Sequence, residues 1–228
     1  MVSLLSLYFF TAYIAIPLFL DRSDTSGNVS RSDSITVTAN GLPGDPINVS
    51  LIGQHRDLVQ AFLRIGWYPA NPLTLKSCVE IAEAAVLKRP YPMAPVSSLY
   101  LFNRIEDLAF EKPVGDSPRH RHHVRFWKTA KIYKTGSPYW YGSATFDRDV
   151  GFSKTTGQFT HHISANVDKE RNALFSDLTK ANSLSESFSI DDFQKEKEGH
   201  NGEGDRWFTD GRLLVGVLKD YRHQTPQQ

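Results

Sequence analysis

The stretch SPRHRHHVRFWK, Ser117 to Lys128, carries three histidines and three arginines, and a second histidine pair, His161 and His162, follows in FTHHISANVDKERN. Imidazoles beside carboxylates can do acid–base chemistry or bind a divalent metal, and guanidiniums make bidentate contacts with phosphate or carboxylate. Alternate side chains of a strand face opposite sides of its sheet, and that parity sorts the candidates. In RHHVRFW, Val124 and Phe126 mark the core face and take His122 with them, so Arg121, His123, Arg125 and Trp127 share the other face. In YWYGSATFD, Trp140, Ala144 and Phe146 are inward, which leaves Tyr141, Ser143, Thr145 and Asp147 opposite. In IEDLAFEKP, Leu108 and Phe110 point in and Asp107 and Glu111 fall on the polar side. Three strands therefore present Asp107, Glu111, His123, Arg125 and Asp147 on one face, a candidate pocket floor. His161 shares its parity with Ile163, which assigns His162 to the polar face. Asp168 and Arg171 lie on the first turn of a helix, with Asp168 placed to cap it.

These residues leave three chemistries open. HRHH has none of the standard metal-ligand spacings, such as H-E-x-x-H, so metal and cofactor both stay unassigned. Arg121, Arg125 and Arg171 suit an anion, with histidine as acid or base. The same groups can also satisfy one another as a buried ion-pair network. No G-x-S-x-G elbow, P-loop or dinucleotide fingerprint occurs. With 26 basic against 25 acidic side chains, no overall field draws the chain to nucleic acid, so no nucleic-acid partner is expected. The single cysteine, Cys78, excludes an intrachain disulfide and reads as a buried structural thiol in an apolar helix.

The elements that must position these residues follow from apolar spacing. Val2 to Leu20 is uncharged and, at ~1.5 Å per residue, long enough to match a ~30 Å hydrocarbon core. Residues 1–20 are therefore expected to be a transmembrane anchor, 21–34 a flexible polar linker, and 35–228 one folded domain in a single-pass membrane protein whose soluble side is unassigned. QHRDLVQAFLRIGW, NPLTLKSCVEIAEAAVLKR and VDKERNALFSDLTKAN carry helical periodicity, and ITVTA, INVSLIG, SSLYLFNR, LAFEKP, HHVRFWK, PYWYGSATFD, QFTHHIS, ESFSI and RLLVGVLKDY read as strands. The expected class is α+β, a mostly antiparallel sheet packed with about three helices and preceded by one membrane-spanning helix.

The runs GLPGDPINVSLIG, GWYPANPLTLKS, RPYPMAPVSSLYLFNRIEDLAFEKPVGDSPRHRHHVRFWK, WYGSATFDRDVGFS, THHISANVDKERN and DRWFTDGR closely resemble the LssY C-terminal domain family, in order over residues 41 to 218. The shared positions His123, Arg125, Asp147, His162, Asp168 and Arg171 fall in its motifs, and no catalytic role comes with them. In that family the domain follows a transmembrane helix or is attached to multi-pass proteins of the DedA type or to phosphatidic acid phosphatase-like domains. The resemblance thus implies a membrane setting, a multi-pass membrane partner and a lipid or phosphate ligand. The expected function is binding of an anionic ligand, a phosphate or lipid headgroup, at a pocket of Arg121, His123, Arg125, Asp147, His162, Asp168 and Arg171. The alternatives are a metal-dependent or acid–base phosphoester hydrolase, with His123 or His162 as base, and a non-enzymatic assembly module for membrane partners.

Overall fold

QHRDLVQAFLRIG folds as helix α1, His55–Arg64, because Leu58, Ala61 and Phe62 recur on one face and are fully buried there. The Gln54 backbone N–H donates to Asp57 Oδ2 at 2.9 Å, closing the first turn, and Gly66 at φ +74° ends the helix in a conformation that costs glycine little. A second helix, α2, spans Val167–Lys180 and buries Val167, Leu174, Phe175 and Leu178. These elements belong to a computed structural model that describes residues 34–70, 99–115, 120–155 and 159–221.

The strands, in chain order, are β1 Ile35–Thr38, β2 Pro43–Pro46, β3 Val49–Ile52, β4 Tyr68–Pro69, β5 Leu99–Leu101, β6 Arg104–Ile105 and β7 Leu108–Pro113. They continue with β8 Arg121–Ile132, β9 Pro138–Phe152, β10 Phe159–Ile163, β11 Leu184–Ile190, β12 Glu198–His200, β13 Arg206–Phe208 and β14 Leu213–Leu218. The main sheet runs β11-β14-β3-β9-β8-β7-β4, with β10 on the far half of β9. Its pairs are antiparallel except β14 with β3. A smaller sheet runs β2-β1-β5-β6, and β12 and β13 form a hairpin.

Each face of the main sheet has its own core. On one, Val49, Leu51, Phe110, Val124, Phe126, Trp140 and Ala144 meet the apolar sides of α1 and α2. Phe62 of α1 stacks on Phe110 with ring centroids 4.4 Å apart. Each such fully buried side chain contributes about 1.5–3 kcal/mol relative to exposure. Strand β9 is glycine at 142 because a Cβ there would lie 2.5 Å from the Phe126 ring and 2.6 Å from Val49. On the other face, Leu99 and Leu101 of the small sheet pack against Trp127, Tyr141, Val215 and Val217. Beyond that apolar patch the layer between the sheets turns polar.

Two expectations are corrected here. Strands take up 50% of the described residues and helices 16%, in two helices, so the fold is mainly β rather than α+β. The extra strand comes from pairings that local sequence does not announce: PGDP, outside the expected strands, is β2 against β1, and EGH, also outside them, is β12 against β13. The helix expected over NPLTLKSCVEIAEAAVLKR, including Cys78, lies outside the described residues. Among the described residues no helix is long and apolar enough to cross a membrane, so the single-pass membrane placement loses its support. Residues 1–20, expected as the anchor, lie outside the described residues, as does the linker but for Ser34.

Candidate functional site

The sequence parity of β8 and β9 is realised in the register, with Arg121 opposite Asp147, His123 opposite Thr145 and Arg125 opposite Ser143. Glu111 of β7 stands opposite His123 from the other side. Because all these side chains point at the small sheet rather than at water, Glu111, Thr145 and Asp147 are fully buried and Arg121, His123 and Arg125 nearly so.

Burial of charge is tolerated only when each group is paired. Arg121 donates through Nε to Asp147 Oδ2 and through Nη1 to Glu111 Oε2, both at 2.7 Å, and its Nη2 lies 3.3 Å from His161 Nδ1. Arg125 sits 3.6 Å from Asp45 of β2 and 4.0 Å from Glu106, which spans the gap between the sheets. Its Nη1 also meets His123 Nε2 at 3.0 Å, and Thr145 Oγ1 meets the same nitrogen at 2.7 Å. A guanidinium only donates, so Nε2 is the acceptor and the His123 proton sits on Nδ1. That nitrogen lies 2.9 Å from Asp147 Oδ1, a contact that is not aligned as a hydrogen bond. Burial alone would raise the Asp147 carboxyl, but His123, Arg121 and His161 more than offset it and hold the acid well below its ordinary range.

The seven residues assigned from sequence do not form one pocket. Arg121, His123, Arg125 and Asp147 share the inter-sheet cluster. His162 binds Asp205, with Nδ1 3.0 Å from both carboxylate oxygens. It reaches the cluster only indirectly, since Asn201 Oδ1 accepts from the Asp205 backbone N–H and Asn201 Nδ2 donates to Asp45 at 3.0 Å. The histidine that touches Arg121 is His161, because a bulge between His162 and Ile163 breaks the strand parity that favoured His162. Asp168 and Arg171 build a separate clamp at the start of α2. Arg171, almost wholly buried, donates bidentately to Asp210 at 2.8 and 3.0 Å and contacts Asp168 at 3.0 Å. The helix cap is Asn166, which accepts from the Lys169 N–H, and Asp168 instead receives Thr209 Oγ1 and the Asp210 N–H. Asp107 is drawn away from the polar layer by Arg104 and the Lys128 N–H.

Sequence reasoning missed the acids that complete these pairs: Asp45, Glu106, Asp205 and Asp210. It also missed Glu170, whose carboxylate holds His122 at 2.8 Å on the helix side of the sheet. Asp205 and Asp210 stand in DRWFTDGR, a stretch whose acidic residues were the available signal. Among the described residues no three His, Cys, Asp or Glu side chains gather as a metal site.

Among the described residues an open groove lies elsewhere. This groove of about 500 Å³ between α2 and β11 is lined in part by Phe175 and Leu214. Thr179 and Lys180 of α2, Ser187, Phe188 and Ser189 of β11, and Arg212 also line it. Arg212 shares Asp210 with Arg171, and the Arg171 hydrogen bonds followed by those of Arg212 hold the Asp210 carboxyl far down despite partial burial. Among the described residues no carboxylate pairs with Lys180.

No curated protein and no solved structure matches the chain. The profile described as LssY C-terminus matches residues 27–213, which takes in every strand from β1 to β13 and both helices, as well as the two polar clusters. The chain belongs to the LssY C-terminal family.

Proposed function

We propose that the domain binds an anion of the phosphate or carboxylate class, and that it does so in the groove between α2 and β11 rather than at the arginine cluster of β8. The observation that supports this is charge pairing. Arg121, Arg125 and Arg171 each already face two carboxylates, and a third anion would have to displace one of them from a buried layer. In the groove, Lys180 adds an uncompensated positive charge to the Arg212 guanidinium, beside the hydroxyls of Thr179, Ser187 and Ser189, on a surface open to water. Hydroxyls and a flexible ammonium are sufficient to hold a phosphate ester by charge-assisted hydrogen bonds.

Hydrolysis would draw on the Thr145–His123–Asp147 relay, which has a hydroxyl, an imidazole and a carboxylate in the order of a nucleophile and its base. Its hydroxyl and carboxylate are fully buried and Arg125 also occupies the imidazole nitrogen, so we assign the relay to pairing β8 with β9 inside the polar layer.

The test is titration of the full chain with inorganic phosphate and with a phosphate monoester, followed by calorimetry and by amide shifts along β11. Lys180→Ala and Arg212→Ala are each expected to weaken binding about tenfold, the loss of one charge-assisted contact. Unchanged affinity in both variants, or no binding at millimolar ligand, overturns the assignment.

A further inference from the structure

We infer that the anion is carried on an extended polypeptide segment, with acidic and apolar residues in alternation, that adds to the main sheet by pairing with the outer edge of β11. This rests on the groove being the anion site. It goes further by naming what brings the anion there.

The two ends of the main sheet are built differently. At one end β4 is only two residues long and finishes in Pro69, a short strand of the kind that discourages further pairing. At the other, β11 runs seven residues, LSESFSI, without proline or a basic side chain. Its one irregularity is the bulge between Leu184 and Glu186, and from Glu186 to Ile190 the register with β14 is unbroken. Among the described residues β11 pairs with β14 alone, so its outer edge presents a row of backbone donors and acceptors to solvent.

The two faces of that edge ask for different side chains. Ser187 and Ser189 stand opposite Gly216 and Leu214 on the helix side, where a Cβ on Gly216 would meet Phe175. Residues of an added strand on that side would hang over the groove, within the field of Lys180 and Arg212, and acidic ones complement it. Phe188 and Ile190 alternate with the serines in the register and remain 36% and 41% exposed, with Phe188 also bordering the groove. Apolar residues of an added strand would cover them as cross-strand neighbours. Small serines on the groove side leave room for the incoming side chains, and the backbone of β11 supplies the pairing.

The probe is a synthetic peptide alternating valine with aspartate, titrated into the full chain beside inorganic phosphate. Two further peptides carry backbone N-methyl groups on one alternating set of residues or on the other. Successive N–H groups of a strand point to opposite sides, so only one methylated set faces β11. Methylation of one set is expected to weaken binding by more than about tenfold while the other set binds like the parent, the signature of strand addition. Lys180→Glu is expected to weaken phosphate and parent peptide alike. If phosphate binds and both methylated peptides match the parent, the strand inference falls and the anion site stands. If neither phosphate nor peptide responds to Lys180→Glu, the anion site falls with it. Concentration-dependent dimerisation that the peptide does not compete would give the edge to a second copy of the chain and overturn the inference.

Discussion

His123 has contacts to both ring nitrogens within the buried layer between the sheets. Its ring is held on one nitrogen by Arg125 and Thr145 and faces Asp147 with the other, inside a layer that water does not reach. Asp147 in turn has a folded-state pKa below its ordinary value, set by His123, Arg121 and His161 against the opposing effect of burial. A depressed carboxylate contributes stability that is fully present above its unfolded pKa and is lost as pH falls toward the folded one. Thermal denaturation is therefore expected to show a falling melting temperature below about pH 4, the range in which unfolded Asp titrates. Asp147→Asn should flatten that fall and, by leaving Arg121 short of one partner, cost about 3–5 kcal/mol at neutral pH. An unchanged acid limb in the variant would remove Asp147 from this role.

Glu203 sits in the turn that joins β12 and β13, and it shows the opposite sign. Burial raises its carboxyl, with Asp45 and Asp205 adding to the rise and Ser153 and His162 working against it. Its Oε2 is buried without a hydrogen-bond partner. For an acid whose pKa is raised on folding, the stabilising contribution belongs to the protonated form and is lost as pH rises through the folded value. Glu203→Gln keeps the shape and removes the charge, so it is expected to raise the melting temperature at pH 7 and to leave it unchanged at pH 4. A variant destabilised at pH 7 would mean that the ionised carboxylate is engaged. The hairpin matters beyond itself, because Asn201 and Asp205 in the same turn tie Asp45 of the small sheet to His162 of β10.

At the scale of the molecule, Arg125 is one polar tie across the gap between the two sheets, reaching from β8 to Asp45 and Glu106. Removing it leaves Asp45 and Glu106 without this shared cation, whereas removing all three charges leaves no acid in need of it. Arg125→Met is accordingly expected to cost about 3 kcal/mol or more, and addition of Asp45→Asn with Glu106→Gln to restore part of that loss. Chemical denaturation of the single, double and triple variants measures the coupling, and strict additivity would separate Arg125 from those acids.

Strand parity was legible without a structure: HHVRFW and YWYGSATFD alternate so regularly that the face holding Arg121, His123, Arg125 and Asp147 could be read from spacing, as could the cores of α1 and α2. Local spacing cannot carry the rest. The bulge at His162 moves one residue out of step and puts His161 at Arg121, and only the pairing with β9 decides it. PGDP has no strand character of its own and becomes β2 because β1 lies beside it. Whether a polar face is a pocket or an internal layer depends on what covers it. Here the cover is a second sheet whose Asp45, with Glu106 beside it, is far away in the chain, and long-range packing of that kind leaves no periodic trace in the sequence.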